Sequence, residues 1–157
     1  MYCCVIIHEK LRLTTVPAEA KPTMAEHTAK QYRVTLKVLA FNRTTSLLRL
    51  LNSLRSAYYD GDEVDLEIYV DHMPASTPLA EDGRDVTAMV LTMAAAFKWP
   101  HGNKRIVFHA QHHHIRDQWL SAWYPSSETV SRREFAVFLE DDVEVSIFFY
   151  RFLTRVC

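Results

Sequence analysis

Between Arg33 and Val70 the hydrophobic period changes from two to about 3.6 and back to two, the signature of a strand, a helix and a second strand. Arg33 to Phe41 alternates and is rich in β-formers, which predicts a strand ending at Asn42. Leu47, Leu48, Leu50, Leu51 and Leu54 then recur at spacings of three and four. Thr44, Thr45 and Ser46 offer capping hydroxyls ahead of them, so a helix is expected from about Ser46 to Tyr59. Asp60-Gly61-Asp62 breaks it, and Val64 to Val70 alternates again. Strands separated by a helix of this length are joined by a crossover, which makes them parallel neighbours.

The pattern continues through the chain. Asp85 is placed to cap a helix carrying Val86, Met89, Val90, Met93, Ala94 and Phe97, which Pro100-His101-Gly102-Asn103 closes. A third strand follows over Lys104 to Ala110, a short helix over Ile115 to Trp123, a loop or helix start over Pro125 to Glu134, and a fourth strand over Glu134 to Leu139. The expected fold class is α/β, an open and mainly parallel sheet with flanking helices. At 157 residues and 48% hydrophobic content the chain fits one such domain. Its expected extent is residues 32–157, because residues 1–31 mix Pro17, Pro22, Thr, Glu and Lys without a period and read as a poorly ordered leader.

Several function classes are disfavoured. A formal net charge of −1 gives no electrostatic footprint for nucleic acid. Met1 to Ile7 is too short to span a membrane and lacks the basic start of a signal peptide, and no other segment is long and apolar enough for a membrane span. Cys3, Cys4 and Cys157 lie at the two ends, so no cysteine framework staples the middle of the chain.

Four polar clusters fall at the four strand ends: Asn42-Arg43, Asp71-His72, the histidines His109 and His112 to His114, and Glu140-Asp141-Asp142. In open parallel sheets, ligands bind at the carboxyl ends of the strands. Three consecutive carboxylates after the apolar run Phe135 to Leu139 repel one another unless a cation sits among them. Hard oxygen ligands on a strand end suit Mg²⁺ or Mn²⁺, which take one or two carboxylates and fill their other positions with water and phosphate oxygens. The alternative is a solvated turn or a helix N-terminus that favours negative charge. For the histidines a zinc reading is set aside, because no cysteine or second half-site completes a tetrahedral set. Trp119 and Trp123 read as packing residues.

Val38-Leu39-Ala40-Phe41-Asn42-Arg43-Thr44-Thr45 with its leucine helix, then Ile68-Tyr69-Val70-Asp71, then Val137-Phe138-Leu139-Glu140-Asp141-Asp142-Val143-Glu144-Val145-Ser146 before the aromatic Phe148-Phe149-Tyr150, resembles nucleotide-sugar glycosyltransferases of the GT-A fold, glycosyltransferase 2-like. The nearest likeness is to N-acetylglucosaminyltransferases that carry a Glu-Asp-Asp motif. The resemblance implies a Rossmann-like nucleotide-binding half, a UDP-sugar donor, Mn²⁺ or Mg²⁺ as cofactor, and transfer to a hydroxyl of an unspecified glycan or glycoprotein acceptor. It places Asp142 on the metal, Glu140 and Asp141 near the ribose and the metal's water shell, Asp71 on the uracil imide, and Arg43 on the phosphates. Golgi or secretory-pathway residence is what such glycan-building enzymes imply, and the cytoplasm is the expectation if the chain is complete.

In that family the catalytic base lies well beyond the metal motif, whereas Cys157 is 15 residues beyond Asp142. No base is therefore assigned, and the domain is expected to be C-terminally incomplete, its sheet ending with an uncovered strand. Two other readings stay open: a noncatalytic fragment that retains nucleotide binding, and a metal-dependent phosphoryl or nucleotidyl transferase using the same carboxylates.

Overall fold

The computed structural model describes residues 4–7, 33–73, 85–123 and 134–156. In chain order the elements are β1 (Cys4–Ile7), β2 (Arg33–Ala40), α1 (Thr44–Ser56), β3 (Val64–Val70), α2 (Val86–Ala96), β4 (Lys104–Phe108), α3 (Ile115–Trp123), β5 (Glu134–Glu140) and α4 (Phe149–Val156). The strands form one sheet in the order β1-β5-β2-β3-β4, and every pairing is parallel. This is the open α/β sheet that the alternating periods predict.

Period-two patterning sorts the side chains onto two faces. Val34, Leu36, Val38 and Ala40 of β2, Val64, Leu66, Ile68 and Val70 of β3, and Val137 and Leu139 of β5 share one core with α1, α2 and α4. Leu47, Leu50, Leu51 and Leu54 make the buried stripe of α1, while Leu48 is turned outward. The opposite face holds Leu39, Tyr69 and Phe138 under α3, with the Trp119 ring stacked 5.3 Å from that of Phe138. Strands covered on both faces are what an all-parallel sheet requires.

One charged residue enters that second face. Lys37 is 8% exposed. Its Nζ donates to the Ala122 carbonyl at 2.8 Å and to the Tyr69 hydroxyl at 3.2 Å, and lies 3.1 Å from Glu67 Oε2. Arg105 reaches the other Glu67 oxygen at 2.7 Å. Burial by itself raises the Glu67 carboxyl, but the Tyr69 hydroxyl, Lys37 and Arg105 together hold it below its ordinary value. The network fastens α3 to the sheet.

Several element ends fall one to three residues from expectation, β4 stopping at Phe108 rather than Ala110 and α1 at Ser56 rather than Tyr59, and two differences go further. Helix α1 begins at Thr44, with Arg43 as its N-cap and no side-chain capping bond, and the first turn closes through Leu47 N–H to the Arg43 carbonyl at 2.9 Å. The Thr44 to Ser46 hydroxyls therefore lie inside the first turn. The Asp85 cap of α2 forms as predicted, its Oδ1 accepting from Thr87 N–H at 2.8 Å and Ala88 N–H at 3.2 Å. The second difference concerns β5, which is not an edge strand. Cys4–Ile7 pairs with it, from Cys4 opposite Ala136 to Ile7 opposite Leu139. These four residues fall within the expected leader, while residues 8–32 and the segment 124–133 lie outside the described residues.

Two turns at the amino-terminal end of the sheet hold fixed shapes. A Cβ on Gly102 would land on the Val64 carbonyl, so only glycine lets His101 and Asn103 pass close enough to accept from Val64 N–H at 2.7 Å and Leu66 N–H at 2.8 Å. After α1, Asp60 and Gly61 take positive φ of 56° and 90°. Helix α4 docks on that turn: Tyr150 donates its hydroxyl to Asp62 Oδ2 at 2.6 Å, and Arg151 Nε lies 2.7 and 3.0 Å from the two Asp60 oxygens.

Candidate functional site

From β2 the chain steps outward through β3 to β4, then returns through α3 to place β5 on the other side of β2. The connecting helix changes face with that reversal, as a single crossover hand demands. The loops that follow the adjacent strands β2 and β5 both run to the face packed by α1 and α4, and they meet beyond the carboxyl ends of the strands, the side on which open parallel sheets bind ligands in a crevice. Phe41-Asn42-Arg43 leaves β2 there, and Asp141-Asp142 leaves β5.

Asp141 is 2% exposed. Its Oδ2 accepts from Phe41 N–H at 3.1 Å and its Oδ1 lies 2.6 Å from Arg43 Nη2. Arg43 Nη1 donates to Asp142 Oδ2 at 2.7 Å. One planar guanidinium thus bridges both carboxylates, a nitrogen to each, which a lysine ammonium could not reproduce. Burial pushes the Asp141 carboxyl above its ordinary value, outweighing the Phe41 N–H and the Arg43 charge that pull it down. Burial also lowers the Arg43 guanidinium, but the two carboxylates raise it further. Half-buried Glu140 closes β5 immediately before them.

Asp142 Oδ1 is buried and has no hydrogen-bond partner among the described residues. A buried carboxylate oxygen without a donor is costly, and a water or a cation satisfies it. Among the described residues no three His, Cys, Asp or Glu side chains converge as a complete metal cage. A hard divalent cation bound with a diphosphate does not need one, because water and phosphate oxygens fill most of its sphere. The bare Asp142 oxygen therefore fits Mg²⁺ or Mn²⁺ as the single protein donor.

At the next strand ends Asp71, also 2% exposed, is held against β2 by its N–H on the Ala40 carbonyl at 3.0 Å. Its Oδ1 accepts from His72 N–H and His113 N–H, both at 2.8 Å. His112 Nδ1 lies 3.0 Å from both Asp71 Oδ2 and the His72 carbonyl. Both neighbours are acceptors, which assigns the proton to Nδ1. The His112 ring also lies 5.5 Å from that of Phe41, whose N–H holds Asp141. A continuous path therefore runs from Asp142 through Arg43, Asp141, Phe41 and His112 to Asp71. Asp71 makes no direct contact with the acidic pair in this arrangement.

His109 stacks 4.4 Å from His113, and burial, with the His113 charge, lowers its imidazole below the ordinary value despite Asp71. Its Nε2 is buried without a partner among the described residues. The cluster forms no metal site among the described residues.

Sequence reasoning passed over Gln118. It is 3% exposed and its Nε2 donates to the Ala40 and Tyr69 carbonyls, each at 3.3 Å, clamping β2 to β3 directly below Phe41 and Asp71. The available signal was its four-residue spacing from Ala122, which puts both on the inward face of α3.

No family model matches the chain, and no curated protein matches it significantly. Among solved structures, two crystal structures of S. aureus TarS, a GT-A-type glycosyltransferase, are similar to it. TarS 1-349 superposes with a TM-score of 0.51 at 14% identity, over 79% of this chain and 31% of the TarS chain. A longer TarS chain gives 0.50 at 14% identity, over 78% of this chain and 19% of its own. The chain thus spans a third or less of the proteins it matches. Its fold is an open, parallel α/β sheet with flanking helices, consistent with the Rossmann-like half of a GT-A fold.

Proposed function

We propose that this chain is the donor-binding part of a glycosyltransferase, taking a metal-chelated UDP-sugar whose sugar passes to the hydroxyl of a glycan or glycoprotein acceptor. The observation that carries this reading is the arrangement at the β2–β5 crevice. A fixed cation, Arg43, and a bare oxygen on Asp142 stand side by side at the topological switch point of the sheet. A diphosphate with its divalent counter-ion needs that pairing of charges.

In this assignment Asp142 Oδ1 holds Mn²⁺ or Mg²⁺ and Arg43 contacts the diphosphate oxygens through its fork of donors. Glu140 and Asp141 lie toward the ribose and the metal's water shell. Asp71 receives the uracil imide N–H on the second lone pair of Oδ2, beside His112 Nδ1–H, since Oδ1 already takes two backbone N–H groups. The bound cation supplies Lewis-acid stabilisation of the charge that develops on the leaving diphosphate. The likeness to TarS supports the fold side of the reading, and the charge pattern at the crevice supports the ligand.

Isothermal titration of UDP with and without Mn²⁺ tests it. Binding that requires Mn²⁺ in the wild-type chain and is lost in Asp142→Ala is the expected result. Equal binding with and without metal, or unchanged metal dependence in Asp142→Ala, overturns the assignment. A preference for nucleoside triphosphates over UDP-sugars would move the same carboxylates to nucleotidyl transfer.

A further inference from the structure

The functional assignment leaves a conflict at its centre. The cation proposed for Asp142 must share a small space with a guanidinium that already bridges the two carboxylates, at 2.6 Å from Asp141 and 2.7 Å from Asp142. A divalent ion on Asp142 Oδ1 and an Arg43 still bridging the pair would face each other as like charges across one carboxylate, with Coulomb repulsion between them. One of the two has to leave.

We propose that Arg43 is an internal counter-ion that trades places with the metal: it holds Asp141 and Asp142 until a diphosphate arrives, then swings to the diphosphate and yields Asp142 to the divalent cation. The inference rests on the functional reading above and adds a coupling to it. Metal alone is resisted by Arg43. Nucleotide alone meets a guanidinium engaged elsewhere. Together each removes the obstacle to the other, so the two ligands bind with positive cooperativity.

Three observations favour Arg43 as the moving part. Its side chain is 49% exposed, whereas those of Asp141 and Asp142 are 3% and 23% exposed, so the arginine has room to turn and the carboxylates do not. Asp141 is also fixed by Phe41 N–H and cannot follow the guanidinium. The Arg43 backbone stays put, because its carbonyl closes the first turn of α1, so only side-chain torsions change. The destination is prepared as well. Arg43 is the N-cap of α1, whose first turn has neither a side-chain cap nor an acidic residue, leaving the positive end of that helix open to an anion beside the guanidinium.

The experiment measures Mn²⁺ binding by electron paramagnetic resonance and calorimetry, with and without UDP, in the full chain and in Arg43→Gln and Arg43→Lys. In wild type, UDP is expected to raise Mn²⁺ affinity by about tenfold or more, within the usual range of coupling between two ligands. In Arg43→Gln, Mn²⁺ alone should bind about tenfold tighter than in wild type, while the further gain from UDP shrinks. Arg43→Lys, whose single ammonium cannot bridge both carboxylates, should lie between them, and it carries the test if the glutamine variant does not fold. Mn²⁺ affinity that is unchanged or weaker in the folded variants, with metal-dependent UDP binding intact in wild type, overturns the exchange and leaves the functional reading standing. Wild-type chain that binds no UDP with Mn²⁺ overturns the functional reading, and the exchange falls with it.

Discussion

Gly102 shows how one residue can fix an edge of this sheet. Its missing Cβ is what lets the loop before β4 lie on the Val64 carbonyl, which also accepts from Trp99 Nε1 at 2.7 Å. Gly102→Ala is expected to cost about 1–3 kcal/mol, the scale of overpacking in a closed site, read as a lower urea midpoint with an unchanged slope. A stability equal to wild type would mean the loop can shift freely. At this scale the sequence was informative where the cause is local. The Asp85 cap was legible because an aspartate one residue before an apolar helix bonds its own neighbours. The start of α1 was not, because the residue in the capping place is Arg43, whose side chain is drawn to acids 99 residues away in sequence. No local pattern reports such a pairing.

Between elements the informative feature is the buried Lys37–Glu67 pair under α3. Both side chains are largely buried, so removing one leaves the other uncompensated, at a typical cost of about 3 kcal/mol or more. Glu67→Gln should show that loss at pH 7 by chemical denaturation. The sign with pH follows from the lowered carboxyl. Folded Glu67 titrates below 4.5 while the unfolded chain titrates near 4.5, so its contribution is complete above that pH and is lost as pH falls through the folded value. The gap between wild type and Glu67→Gln should therefore narrow below about pH 4.5. A gap that stays constant or widens in acid would assign the stability to packing instead. Lys37 sits on a strand that reads as a clean alternation, and its burial was invisible there because its partners come from β3 and α3.

For the whole molecule, strand order matters more than strand content. The four longer strands could be read from period two, but the placement of β5 beside β2 and the pairing of Cys4–Ile7 with β5 could not, since both depend on contacts made only after the sheet assembles. A four-residue apolar run carries too little pattern to be told from a loop. The same order brings the crevice into being, so a ligand there ties the two sides of the chain reversal together. With Mn²⁺ present throughout and UDP at about 100 times its dissociation constant, UDP binding should add roughly 2.7 kcal/mol and raise the melting temperature by several degrees. Scanning calorimetry would show it, and an unshifted melt at saturating ligand would count against binding at that crevice.

The docking of α4 has a consequence for the acids. From Asp142 the chain runs down the flank of α1, where Val145 N–H meets Ser53 Oγ at 3.1 Å and the Ile147 carbonyl accepts from Tyr58 N–H at 2.9 Å, to the clasp of Tyr150 and Arg151 on the Asp60 to Asp62 turn. The acidic loop is thus strung between a strand inside the sheet and a helix clamped at its far end, like a cord tied at both posts. Slack in the lower knot becomes play in the upper loop. Amide hydrogen-exchange protection in α4 and the rigidity of Asp142 should therefore rise and fall together.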